Sequence, residues 1–199
     1  MSSPITLASG SKIRAQLLQN AGVRFQVRPA VIDELSVMQT HQRRGATAQD
    51  IATTLARLKA VSVAEQDQGA LVIGCDQVLA LGQRIFMKPT SPDEAIAHLR
   101  DLRGQTHQLL SAVSIVEGDQ PVWSHVGVAE LTMRDISDGY LADYVMRNRS
   151  SIQDAVGCYK LEEEGVRLFT RIQGDYFTVL GLPLLEVLSY LTSRGTLPS

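Results

Sequence analysis

Four kinds of side chain that handle phosphate and water recur along this chain. Hydroxyls stand at Ser9 and Ser11, a guanidinium at Arg14, carboxylates at Glu34 and Asp76, and ammonium groups at Lys59 and Lys88. The stretch Leu7-Ala8-Ser9-Gly10-Ser11-Lys12-Ile13-Arg14 reads as a short apolar strand that turns into a helix. The first turn of a helix leaves backbone N–H groups unpaired and carries the positive end of the helix dipole. Two hydroxyls, those amides and a guanidinium can therefore converge on phosphate oxygens. The same turn also fits an ordinary capped helix with an exposed arginine, because short Ser/Gly turns are common. Asp76 follows Ile73-Gly74-Cys75, where an apolar strand is expected to end on the carboxylate. A lone Asp at a strand end commonly bonds a neighbouring turn. In the company of Glu34, from the pair Asp33-Glu34, and of Lys88, before Pro89, it can instead hold Mg²⁺ or Mn²⁺ on a polyphosphate and orient a water.

Lys59 falls on a helical stripe with Ala52, Ala56 and Val63. A lysine there either lays its stem on the core with its ammonium in water, or points into a cleft. His98, inside a helix, reads as a surface or boundary residue, and His107, where a loop enters a strand, as a structural anchor. Tyr159, Glu162 and Gly165 form a second loop-like cluster that says little alone. Spacing defines no Ser-His-Asp or Cys-His arrangement.

The elements that must position these residues follow from periodicity and caps. Pro4–Ala8 predicts a strand, Ile13–Ala21 a helix closed by Gly22, and Val23–Arg28 a second strand. Thr47 predicts the N-cap of a helix from Ala48 to about Glu65. Ala70–Gly74 is a nearly continuous apolar run, as for a strand buried on both faces, with Asp76 just past its end. Ser91-Pro92-Asp93-Glu94 starts a helix with Pro at its first position. Gln108–Val116 and Val122–Met133 predict strands joined by a turn at 117–121. Ser137 caps a helix to about Arg147, Val166–Ile172 predicts a strand, and Leu182–Leu191 a closing helix. The order is that of an α/β protein with a mixed sheet.

At 199 residues the chain fits one domain, spanning 1–199, or two closely joined lobes. A net charge of −2 argues against a nucleic-acid binder held by phosphate contacts. Cys75 and Cys158 lack metal-ligand spacing and read as reduced thiols. The start Met1-Ser2-Ser3-Pro4 does not read as a secretory signal, and no apolar run is long enough to span a bilayer. The expectation is a soluble, cytoplasmic protein with neither membrane nor nucleic acid as partner.

Taken in order, these segments resemble the Maf family of nucleoside triphosphate pyrophosphatases over almost the whole chain. The resemblance rests on Leu7-Ala8-Ser9 through Arg14-Ala15-Gln16-Leu17-Leu18, Lys59-Ala60, Gly74-Cys75-Asp76, Lys88-Pro89, Gly104 with Thr106-His107, and Gly174-Asp175-Tyr176 followed by Gly181-Leu182-Pro183-Leu184. It implies a fold like that of inosine triphosphate pyrophosphatases, with two lobes around a cleft, and hydrolysis between the α and β phosphates with a divalent cation, Mg or Mn. It implies that Asp76 activates the water, that Glu34 and Asp76 place the metal, and that Ser9, Ser11, Arg14, Lys59 and Lys88 hold the triphosphate. Ile13, Gln77 and Glu162 join the substrate-binding set, and a homodimer is implied.

The chain departs from the family pattern at Lys12, usually Pro, at Ile13, often Arg, at Met87, usually glycine, and at Ala155, often lysine. The branch that resembles dTTP/UTP pyrophosphatases shows Asp-Thr after the glycine motif and glutamine at position 162. This chain has Asp76-Gln77-Val78 and Glu162, closer to the 7-methyl-GTP branch. A cationic 7-methylguanine with donors on its Watson–Crick edge suits an acidic Glu162 better than a neutral pyrimidine does. Two alternatives stay open: a dTTP/UTP pyrophosphatase, and a catalytically inactive nucleotide-binding regulator of cell division.

Overall fold

Nearly continuous buried runs make the two strands that everything else is built on, β1 (Ile5–Leu7) and β3 (Leu71–Leu81), parallel to each other with Thr6 opposite Val72. They belong to a computed structural model that describes residues 3–67 and 69–198. A short β2 (Gln26–Val27) lies parallel on the other side of β1. The remaining strands are β4 (Arg84–Phe86), β5 (Thr106–Glu117), β6 (Gln120–Met133) and β7 (Phe169–Gln173). The sheet runs β2-β1-β3-β5-β6-β7, with β4 antiparallel on β3 and β7 antiparallel on β6. It is therefore mixed, as the sequence predicts.

The helices are α1 (Lys12–Asn20), α2 (Glu34–Arg43), α3 (Ala48–Ala64), α4 (Pro92–Leu102), α5 (Asp138–Ile152), α6 (Tyr176–Val179) and α7 (Leu184–Ser193). Their starts are chemically marked. Ser11, Asp33, Ser91, Ser137 and Asp175 each accept a backbone N–H of the first turn. Thr47 forms a reciprocal box with Asp50.

The chain divides into two compact units. The first comprises residues up to 77, 110–127 and from 175 onward, and the second comprises 78–109 and 128–174. In the first, β3 faces two cores. Leu71, Ile73 and Cys75 pack with Leu17, Leu18, Val113, Leu182 and Val187. Val72 packs on the opposite side with Ala8, Ala60, Val63 and Val116. Alternation sends Gly74 and Asp76 to this second side, toward α3. In the second unit the buried His107 contacts Tyr159 and Phe169, and Phe86 meets His98 edge to face.

Several sequence expectations need correction. Asp76 does not follow the end of a strand; it sits in the middle of β3, which continues through Gln77-Val78-Leu79-Ala80 and pairs with β4. His98, expected at the surface or the boundary, is buried, with Nδ1 3.8 Å from the Cys158 thiol. Residues 164–168 form a 3-10 turn, so the expected strand starts only at Phe169. The second strand shrinks to two residues, α5 runs on to Ile152, and α2, β4 and α6 are not among the elements the sequence predicts.

Candidate active site

Small residues let α3 lie directly on β3. Ala52, Ala56, Ala60 and Ala64 line its buried face, and Gly74 lies beneath: a Cβ there would overlap the Ala56 carbonyl and come 2.6 Å from the Ala60 nitrogen. This close approach carries Lys59 to Asp76. The Lys59 ammonium donates to Asp76 Oδ1 at 2.6 Å and lies 2.9 Å from Glu34 Oε1. Lys59 and Asp76 are buried, whereas the Glu34 side chain is 47% exposed. Of the alternatives open for Lys59, the geometry is thus an ammonium held inward between two carboxylates. An ammonium has three donors, so one remains for another acceptor.

Glu34 is placed by its neighbour. Asp33 accepts the Ser36 N–H at 3.0 Å and caps α2, which makes Glu34 the first helical residue. Burial pushes the Asp76 carboxyl up from its ordinary value, against the pull of the Lys59 ammonium and the Arg14 guanidinium. A carboxylate so poised is a better proton acceptor than a free one.

The N-terminal turn adds a second cation. Arg14 donates through Nε to the Gly181 carbonyl at 2.7 Å, and through Nη1 to the Cys75 carbonyl at 3.1 Å and Ser9 Oγ at 3.3 Å. This fixes the guanidinium beside the strand that carries Asp76. Among the described residues it has no carboxylate partner. Ser9 is buried and also accepts the Ser11 N–H, while Ser11 caps α1. Ile13 packs against the larger core cluster.

The structure therefore brings Ser9, Ser11, Arg14, Glu34, Lys59, Asp76 and Gln77 into the first unit. Lys88 and Glu162 belong to the second. Lys88 is exposed in the coil between β4 and α4, with no ion-pair partner among the described residues. Glu162 is likewise exposed and unpaired among the described residues, yet the two residues that follow it are tied down. Glu163 accepts from Ser151 and Lys160, and Glu164 from Arg147 and Asn148. Gln77 spends its amide on the protein itself, donating to Ser111 Oγ, the Thr178 carbonyl and the Val179 carbonyl at 2.9, 3.2 and 3.0 Å. Ser111 and the 178–181 turn were missed by sequence reasoning, since a serine in a strand and a four-residue helix give no local signal of a shared task.

Among the described residues no cluster of three or more His, Cys, Asp or Glu forms a closed metal cage. What the chain offers is two carboxylates reaching for one cation. Hard oxygen donors in that number suit Mg²⁺ or Mn²⁺, which take one or two carboxylates and complete their shell with water and phosphate oxygens. Both cysteines are free and buried, so neither is a ligand in waiting. No helix among the described residues is long and apolar enough to cross a membrane.

A mixed α/β sheet with paired carboxylates, a buried lysine and an uncompensated arginine defines a candidate phosphate-processing protein. The family described as Maf-like protein matches residues 4–194, and the chain belongs to that family. It is 54% identical over 198 residues to the nucleoside triphosphate pyrophosphatase of Roseobacter denitrificans, covering all of both chains. It is 53% identical to the protein of the same name from Ruegeria pomeroyi, over 99% of each. It is also 45% identical to the 7-methyl-GTP pyrophosphatase of Rhizobium meliloti, over 97% of each.

Proposed function

We propose that this protein hydrolyses nucleoside triphosphates to the monophosphate and pyrophosphate, with 7-methyl-GTP as the preferred substrate. The observation that carries the reading is the Lys59 ammonium shared between buried Asp76 and half-exposed Glu34, in the unit that also holds Arg14 with no carboxylate partner among the described residues. The relatives from Roseobacter and Rhizobium, covering nearly the full chain, support the reaction class and the choice of nucleotide respectively.

In this mechanism Asp76 accepts the proton of the attacking water, and its burial raises its appetite for that proton. Lys59 keeps the carboxylate aimed and uses its remaining donor on a phosphoryl oxygen. Arg14, Ser9, Ser11 and the first turn of α1 hold the polyphosphate, and Lys88 adds a further charge. Glu34 and Asp76 would hold Mg²⁺ or Mn²⁺, which neutralises and polarises the phosphate oxygens when bound. Glu162 reads the base: a carboxylate free of protein partners among the described residues, followed by two that are anchored, suits the positive charge of 7-methylguanine. The reading includes a cytoplasmic homodimer acting on free nucleotides, with neither nucleic acid nor membrane as partner.

The test is pyrophosphate release from 7-methyl-GTP, GTP, UTP, dTTP and CTP with Mg²⁺ or Mn²⁺, compared as kcat/KM. The expected result is clear preference for 7-methyl-GTP. Preference for UTP or dTTP would retain the mechanism and overturn the substrate. Nucleotide binding without pyrophosphate release would favour the inactive regulator.

A further inference from the structure

The two faces of β3 carry different loads. Asp76 points to α3, while Cys75 and Gln77, its neighbours on either side, share the opposite face by the period-two rule. On that side lies the turn that closes α6. Cys75 packs in one cluster with Leu180 and Leu182. The Gln77 amide donates to the Thr178 and Val179 carbonyls, and Ser111 Oγ, fully buried, donates to the Thr178 carbonyl at 2.7 Å while accepting from Gln77. Carbonyls only accept, so the orientation of the Gln77 amide is fixed by its partners.

Two residues further on, Gly181 adopts φ +95° and turns its carbonyl onto Arg14 Nε. That conformation is open to glycine and strained for other residues, and a Cβ at this position would lie 3.1 Å from both Nε and Nη2 of Arg14. From the other side Gly127 admits Thr178, whose Oγ1 would be 2.5 Å from a Cβ placed there. The Arg14 guanidinium is thus held between the Cys75 carbonyl of β3 and the Gly181 carbonyl of a turn that is itself fastened to β3 through Gln77.

We propose that Gln77 is a positioning residue: with Ser111 it clamps the 178–181 turn to β3, so that the Gly181 carbonyl sets the Arg14 guanidinium for the triphosphate. This rests on the assignment of Arg14 to the polyphosphate. It gives the residue after Asp76 a task separate from base recognition. The chemistry demands an amide, because a carboxylate of the same shape would face two backbone carbonyls with no proton to offer.

The experiment is steady-state kinetics with 7-methyl-GTP on Gln77→Glu, Ser111→Ala, Arg14→Ala and the double variant Gln77→Glu/Arg14→Ala, with thermal melting to establish that each is folded. Gln77→Glu is expected to raise KM by about tenfold while kcat stays within about threefold, since uniform phosphate binding is what is lost. Ser111→Ala is expected to move KM in the same direction by about threefold. It serves as the reporting variant if Gln77→Glu fails to fold, in which case Ser111→Ala/Arg14→Ala replaces the double variant. In the Arg14→Ala background the added substitution is expected to leave KM unchanged, which a merely structural role would not produce. A KM rise that persists in that background, or unchanged KM in the folded single variants of the clamp, would overturn the clamp. An Arg14→Ala protein with normal KM and kcat would instead remove Arg14 from the phosphate site, and the inference with it.

Discussion

Gly74 and Asp76 lie two residues apart on the same face of β3, and the first makes room for the helix that supplies the partner of the second. A methyl group at Gly74 would meet the backbone of α3 at Ala56 and Ala60, and neither can give way as a flexible side chain would. Gly74→Ala is therefore expected to lift α3 and lengthen the Lys59–Asp76 contact. Overpacking of this kind costs about 3 kcal/mol. Urea denaturation should show the midpoint falling by a corresponding amount, and kcat per folded molecule should fall as well; a variant with wild-type midpoint would show that α3 is less closely seated.

Asp76→Asn removes the proton acceptor and leaves the shape. The Lys59 ammonium keeps Glu34 as its partner, so no bare charge is left buried. Turnover is expected to fall by about a thousandfold or more, with melting temperature and nucleotide affinity, read by calorimetry, close to those of the parent. An active Asp76→Asn protein would move the base elsewhere.

Local signals made much of the fold legible. Thr47 with Asp50, Ser91 before Pro92, and Gly22 after α1 mark helix ends through chemistry that acts within a few residues. The hairpin between β5 and β6 was visible for the same reason. The course of β3 through Asp76 was not, because a carboxylate inside an apolar run reads as its end. What permits it is Lys59, 17 residues earlier on another element. The burial of His98 depends on Phe86 and Cys158, neither of them near in sequence. Helix α2 buries only Met38, too little for a helical period to stand out. At the candidate site, residue types that bear charge could be picked from the sequence, whereas the Gln77–Ser111–Thr178 linkage exists only in three dimensions.

His107 gives the second unit a pH dependence. Burial lowers its pKa from the ordinary 6.5 to about 4, with Nε2 bonded to the Tyr159 hydroxyl at 2.7 Å and Nδ1 without a partner among the described residues. The folded state thus binds a proton less readily than the unfolded one. Its contribution is fully present above pH 6.5 and is lost as pH falls through about 4. The size is about 3 kcal/mol. His107→Gln cannot titrate there, so unfolding free energies measured between pH 7 and pH 4 should fall less steeply in this variant than in the parent. Equal slopes would show that other groups control acid stability.

Glu162→Gln tests base recognition without disturbing the loop around it, since Glu163 and Glu164 retain their own anchors. A carboxylate attracts the charged 7-methylguanine and accepts from its Watson–Crick edge; an amide loses the charge and gains a donor. The ratio of kcat/KM for 7-methyl-GTP over that for UTP is expected to fall by about tenfold, the equivalent of one charge-assisted hydrogen bond. The loss should come mainly from the 7-methyl-GTP term, because a neutral pyrimidine gains nothing from the negative charge. If both nucleotides lose rate in proportion, Glu162 supports the site as a whole and selectivity resides in other residues. If the ratio is unchanged with full activity toward each, the carboxylate takes no part in reading the base.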